Sequence, residues 1–144
     1  MPHRMILFVV MLGFSLALFG CNSSKVGMSG KVVFSDDKAP LTKGTVCFES
    51  DTYVARGRLN HNGEYTLGSE SERDGLPPGR YRVYIGGASV EETPSGADSD
   101  EEAVSIPRPL ISTKYAKGAT SGITLEVDAS TRRFDFEVDR YKKQ

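Results

Sequence analysis

From Ser29 onward, apolar and polar residues alternate with a period of two, the pattern that sends successive side chains to opposite faces of a strand. In residues 30–34, Val32 and Phe34 share a face. Residues 45–49 put Val46 with Phe48 and turn Cys47 to the other side. Residues 54–59 form a weaker strand, and 64–67 align Tyr65 with Leu67. Residues 80–85 align Tyr81, Val83 and Ile85, leaving Arg80, Arg82 and Tyr84 opposite. Two last stretches, 123–127 and 134–138, line up Ile123, Leu125 and Val127, then Phe134, Phe136 and Val138. Strands that are apolar on one face must bury it against a second layer, so the pattern predicts an all-β fold: a seven-stranded antiparallel β-sandwich.

The connections fit that expectation. Asn62-Gly63 reads as a hairpin-type turn, because both residues tolerate positive φ. Pro77-Pro78-Gly79 leads tightly into the strand at Tyr81, and residues 128–131 close a final hairpin. No stretch offers a helical face of more than about two turns. Residues 86–108 exceed the ~12–15 usual for an unstructured connection. They carry six carboxylates: Glu91, Glu92, Asp98, Asp100, Glu101 and Glu102. Residues 22–28 are small, polar and patternless, as a flexible tether is.

Ahead of the strands, residues 1–4 contain Arg4, and residues 5–19 are an uncharged apolar run. The run is shorter than the ~20 residues a helix needs to cross a bilayer, and suits the core of a signal peptide over residues 1–20. Leu18-Phe19-Gly20-Cys21 resembles the lipobox of bacterial lipoproteins, with an aliphatic residue, then a small one directly before the cysteine. The resemblance implies lipidation at Cys21: a thioether to diacylglycerol, with a palmitate-type chain on the new N-terminus. At ~0.8 kcal/mol per buried CH₂, several acyl chains make an anchor that rarely leaves. The chain then divides into a leader (1–20), a lipidated tether (21–28) and the sandwich (29–144). Its expected address is the cell envelope, facing the periplasm or the exterior, on either membrane. With Cys21 taken, Cys47 is the one thiol left, and no intramolecular disulfide forms.

Fifteen glycines, seven prolines and no tryptophan suit a turn-rich β protein. A net charge of −1 removes nucleic acid from the expected partners, because its binders carry a basic excess.

Four segments carry a wider resemblance: Ser29-Gly-Lys-Val-Val-Phe34, Pro40-Leu-Thr-Lys-Gly-Thr-Val46, Gly63-Glu-Tyr-Thr-Leu67 and Leu76-Pro-Pro-Gly-Arg-Tyr-Arg-Val83. Together they resemble the carboxypeptidase regulatory-like domain, a sandwich of transthyretin or immunoglobulin-like type. With the lipobox and the stretch from Lys114 to Val138, the chain is similar to lipoproteins abundant in planctomycetes and related bacteria. The resemblance covers most of the chain after the leader, with 86–108 as its gap. It implies a non-catalytic accessory or binding module and no cofactor.

The residues themselves offer little chemistry. After the leader there is one histidine, His61, in a turn, so two-histidine metal sites are excluded. The transthyretin fold includes hydroxyisourate hydrolases with paired histidines and a C-terminal Tyr-Arg-Gly-Ser, whereas this chain ends Asp139-Arg-Tyr-Lys-Lys-Gln144. Gly118-Ala-Thr-Ser-Gly122 lacks the spacing and lysine of a phosphate-binding loop. Two features stay open. Asp98, Asp100, Glu101 and Glu102 form a candidate Ca²⁺ cluster or a solvated, self-repelling loop. Arg56, Arg58, Arg80, Arg82 and Tyr84 face outward; if their strands are neighbours they form a basic stripe suited to an anionic glycan or an acidic envelope protein, and otherwise they are solvated strand faces. The expected function is a lipid-anchored, non-enzymatic interaction or structural module of the envelope, with a transthyretin-type small-ligand carrier as the alternative.

Overall fold

The computed structural model describes residues 24–71, 73–92 and 105–143. Within them the strands run β1 (Ser29–Phe34), β2 (Thr45–Glu49), β3 (Val54–Arg58), β4 (Glu64–Thr66), β5 (Gly79–Gly86), β6 (Ser89–Glu92), β7 (Ile106–Pro109), β8 (Ile123–Val127) and β9 (Phe136–Val138). A 3₁₀ turn (Thr113–Ala116) and a single helical turn, α1 (Gly118–Ser121), lie between β7 and β8. A three-stranded sheet, β4-β1-β9, and a four-stranded sheet, β3-β2-β5-β8, form the two layers. Val32, Tyr65, Phe136 and Val138 of the first sheet pack on Val46, Phe48, Ala55, Tyr81, Val83 and Ile85 of the second in one buried cluster. The all-β sandwich follows from the period-two pattern, and each of its seven strands lies on a predicted stretch.

Four expectations about what joins these strands need correction. First, the long connection is not a bare loop: β6 and β7 pair as a separate antiparallel ribbon, from Ser89↔Pro109 to Glu92↔Ile106, and raise the strand count to nine. Arg108 meets Glu92 at 2.9 Å and Ser105 donates to Glu91 at 3.0 Å, so polar contacts dress the ribbon and apolar alternation could not reveal it. Second, the sandwich is not wholly antiparallel, because β1 pairs with β9 in parallel, Val32 opposite Phe136. Third, residues 128–131 do not close a hairpin. The Asp128 carboxylate accepts from Ser130 and Thr131, and the turn carries the chain from β8 in one sheet to β9 in the other. Alternation states which face of a strand is buried; it is silent about the neighbour.

The fourth correction concerns the tether. Val26 donates to the Leu76 carbonyl at 2.7 Å and accepts from Leu76 N–H at 3.1 Å, while Met28 is 1% exposed. Val26, Met28, Gly30, Val32 and Phe34 all point inward, so the period-two pattern of β1 begins three residues ahead of the strand itself. Glycines at 27 and 30 obscure it. The fold therefore takes hold at Val26.

Candidate functional site

The turn at Asn62-Gly63 builds the most distinctive surface of the domain. Asn60 Oδ1 accepts the backbone N–H groups of Asn62 and Glu64, and Gly63 takes φ +74°. Asn60 N–H donates to the Glu64 carbonyl at 2.9 Å, so the chain does reverse here. Its two arms then part, β3 into the four-stranded sheet and β4 into the three-stranded one. They stay in close approach, a Cβ on Gly57 coming 2.5 Å from the Thr66 carbonyl oxygen, and are joined by an isolated bridge, Arg56↔Gly68, with N–H···O distances of 2.7 and 2.9 Å. This edge borders a groove of about 590 Å³, lined by Arg56, Arg58 and Arg73 with Glu64, Ser69 and Glu70 among its other walls.

The predicted stripe divides at this point. Arg56 and Arg58 lie on β3, but β2 separates them from β5, so Arg80, Arg82 and Tyr84 are not their neighbours. The row Arg56–Cys47–Tyr84 runs across the outer face with Cys47 in the middle, and the row Val54–Glu49–Arg82 puts a carboxylate beside Arg82. Arg82 lies 3.8 Å from Asp51 and 4.0 Å from Glu49, and Arg80 stands opposite Glu126. Nor does Tyr84 face solvent freely: α1 packs over β5, and a Cβ built on Gly118 would come 3.3 Å from both the Tyr84 ring and Arg82. The continuous basic stripe is thus replaced by two separate sets, one of them interleaved with acids.

Arg73 is the member that alternation could not find. It sits in the loop after β4 with φ +67°, where no periodicity applies. What holds that loop is Asp74, whose carboxylate accepts from Lys25 Nζ at 2.7 Å, from Ser69 N–H at 2.7 Å and from the N–H groups of Glu70 and Ser71 at 3.3 Å. Lys25 also reaches Glu70 at 3.3 Å and lies 5.7 Å from the Tyr53 ring centre. The Tyr53 hydroxyl closes the cluster on Ser69. The Asp-Gly step at 74–75 was the available sequence signal, since Gly75 at φ +79° packs against the Val26 carbonyl.

Lys25 first, and then the loop N–H groups, hold the Asp74 carboxyl well below the usual carboxylate range, and Asp74 in turn raises Lys25. A depressed carboxylate contributes stability that is complete above its unfolded value, about 3.9, and lost as pH falls through the folded value. Asp74→Asn should therefore melt below the wild type at neutral pH, with the gap closing progressively once pH drops below about 4. Parallel thermal melts from neutral to strongly acid pH check this; a gap of constant size would mean that Asp74 acts through shape alone.

Cys47 is a free thiol, 5% exposed, and burial pushes its pKa up. His61 is exposed at its turn. Among the described residues no three of His, Cys, Asp and Glu gather as a metal site, and no helix is long and apolar enough to cross a membrane. Cys21 and the acidic set Asp98, Asp100, Glu101 and Glu102 lie outside the described residues.

No family model matches the chain, and no curated protein does so either. Among solved structures, a 9R-lipoxygenase from Cyanothece PCC8801 is similar at 17% identity over 79% of this chain, with a TM-score of 0.33. The chain spans 16% of that protein's length.

Proposed function

We propose that the protein is a lipid-anchored, non-catalytic module of the bacterial cell envelope that works by contact through its exposed faces. The observation that carries this reading is Leu18-Phe19-Gly20-Cys21 at the end of the apolar run 5–19, followed within five residues by the start of a folded domain at Val26. An apolar stretch too short to span a bilayer, ending in a modifiable cysteine, has its physical use in export and acylation. Arginines on a rigid sheet edge then supply contact chemistry without a reactive group. A small-ligand carrier would need a pocket within the domain or a channel between subunits, and Phe48, Val46 and Val83 fill the space between the sheets.

Replacing Cys21 with serine tests the anchor. Metabolic labelling with a fatty-acid probe should mark the wild-type protein and leave the variant unlabelled, and the variant should leave the membrane fraction. Equal labelling of the two would remove the basis of this reading.

A further inference from the structure

We propose that the domain lies with its β3–β4 edge against the bilayer that anchors it, Arg56, Arg58 and Arg73 meeting the phosphates of anionic lipid headgroups; this rests on lipidation at Cys21. Four of the nine arginines after the leader have a carboxylate partner: Arg82 has Glu49 and Asp51, Arg108 has Glu92, Arg133 has Asp135, and Arg140 has Asp36 and Asp37; of the others, Arg80 and Arg132 stand away from the groove. Among the described residues no carboxylate lies within ion-pair distance of Arg56, Arg58 or Arg73, and these three line a single groove. The acids beside them are engaged elsewhere, Glu70 with Lys25 at 3.3 Å and Glu64 with Asn60 Nδ2 at 3.2 Å. A guanidinium presents paired donors that match two oxygens of one phosphate, and three of them around one groove suit a phosphate-bearing surface.

The attachment point supplies the second observation. Ser69, Glu70 and Ser71 form a wall of this groove, and the same loop holds the end of the tether through Lys25 and Asp74. Fully extended, the chain from Cys21 to Lys25 spans at most about 14 Å. A lipid on Cys21 therefore keeps this rim of the domain beside the headgroups. Arg56 is bridged to Gly68 at the start of this loop, and Arg58 follows on the same face of β3, so an anionic surface against this rim meets all three arginines. Attraction there acts within roughly a Debye length, about 10 Å at 0.1 M salt, which is the range the tether enforces.

The test uses the full lipidated protein reconstituted in vesicles of phosphatidylcholine, with or without phosphatidylglycerol. Phenylglyoxal modification of individual arginines is followed by peptide mass spectrometry. In the anionic vesicles Arg56, Arg58 and Arg73 should react roughly tenfold or more slowly than in the neutral ones, while Arg140, which follows β9 on the opposite edge of the three-stranded sheet, reacts equally in both. The protection should vanish at about 1 M salt, where the Debye length falls to ~3 Å. Arg73→Glu, at an exposed loop position, should return Arg56 and Arg58 towards their rates on neutral vesicles. Equal rates on the two vesicle types, with lipid confirmed on the N-terminal peptide, would overturn the docking proposal and leave the anchor standing. Equal protection on neutral vesicles by inorganic phosphate, or by a soluble anionic glycan, would overturn it too and assign the groove to that ligand. An N-terminal peptide without lipid would overturn both readings.

Discussion

Gly30→Ala is expected to cost the sandwich about 3 kcal/mol or more and to be the most damaging single-methyl change in β1. Gly30 faces the core directly beneath the Tyr65 side chain, whose hydroxyl crosses it to donate to the Phe134 carbonyl at 2.6 Å. A Cβ at this position would overlap that carbonyl oxygen and lie 2.6 Å from the hydroxyl. Adding it forces apart the segment leading into β9 and leaves a buried hydroxyl and a carbonyl without each other. Burial already raises the Tyr65 pKa, so the group has no cheap ionised form to retreat to. Overpacking of this kind costs ~1–3 kcal/mol, and an unmade buried hydrogen bond ~1–3 kcal/mol more. Gly27→Ala is the matched control: a Cβ there meets nothing within 4 Å, and the change should stay within about 0.5 kcal/mol. Urea unfolding of the two variants beside the wild type decides the matter. Equal midpoints for all three would mean that the strands yield at Gly30 without loss.

Much of this fold is legible in the sequence because burial on one face of a strand writes itself as a period of two. Val32 with Phe34, Val46 with Phe48, and Tyr81 with Val83 and Ile85 are all buried where alternation puts them. The agreement fails where the signal has another source. Ser89–Glu92 and Ile106–Pro109 pair through backbone and charge, with burial grades that never reach the core, so no apolar rhythm marks them. The parallel β1–β9 pair is invisible for a different reason. Phe136 and Val138 would present the same inward face beside either sheet, and the choice is made by the turn at Asp128 crossing between layers.

The groove lies further still from what a sequence can say. Arg56 and Arg58 share a face by their spacing, and that part was readable. Their separation from Arg80 and Arg82 depends on β2 standing between β3 and β5, which is a matter of strand order. Arg73 joins them only because Asp74 gathers Lys25 and three backbone N–H groups into one loop, an arrangement of polar contacts that leaves no periodic trace. The tether reading missed Val26 and Met28 because Gly27 and Gly30 interrupt the apolar count, although the inward register runs through both glycines. Glycine conceals a strand while serving it: at position 30 the missing side chain is what admits Tyr65.

Phe48→Ala is expected to remove about 3–5 kcal/mol, a large part of the ~5–15 kcal/mol that holds a domain of this size. Phe48 is fully buried on β2, the strand flanked by β3 and β5, and its ring faces the opposite sheet. There it meets Tyr65 at 6.2 Å, Tyr81 at 6.3 Å and Phe134 at 6.1 Å, the last edge-on at 87°. These neighbours come from three different strands or approaches to strands and from both layers, so the ring is the point at which the sheets are registered on each other. Truncation leaves a cavity that rigid β backbones on either side cannot collapse to fill, and the residual void adds to the lost transfer energy. Phe48→Leu keeps most of the volume and should cost under about 1.5 kcal/mol. Phe134→Ala, at a half-buried position on the rim of the same cluster, should fall between the two. Urea titrations on the three variants should therefore rank Phe48→Leu mildest, Phe134→Ala intermediate and Phe48→Ala worst. A Phe134 variant as weak as Phe48→Ala would move the centre of the core to the β9 side and make the sheet-to-sheet contact at β2 secondary.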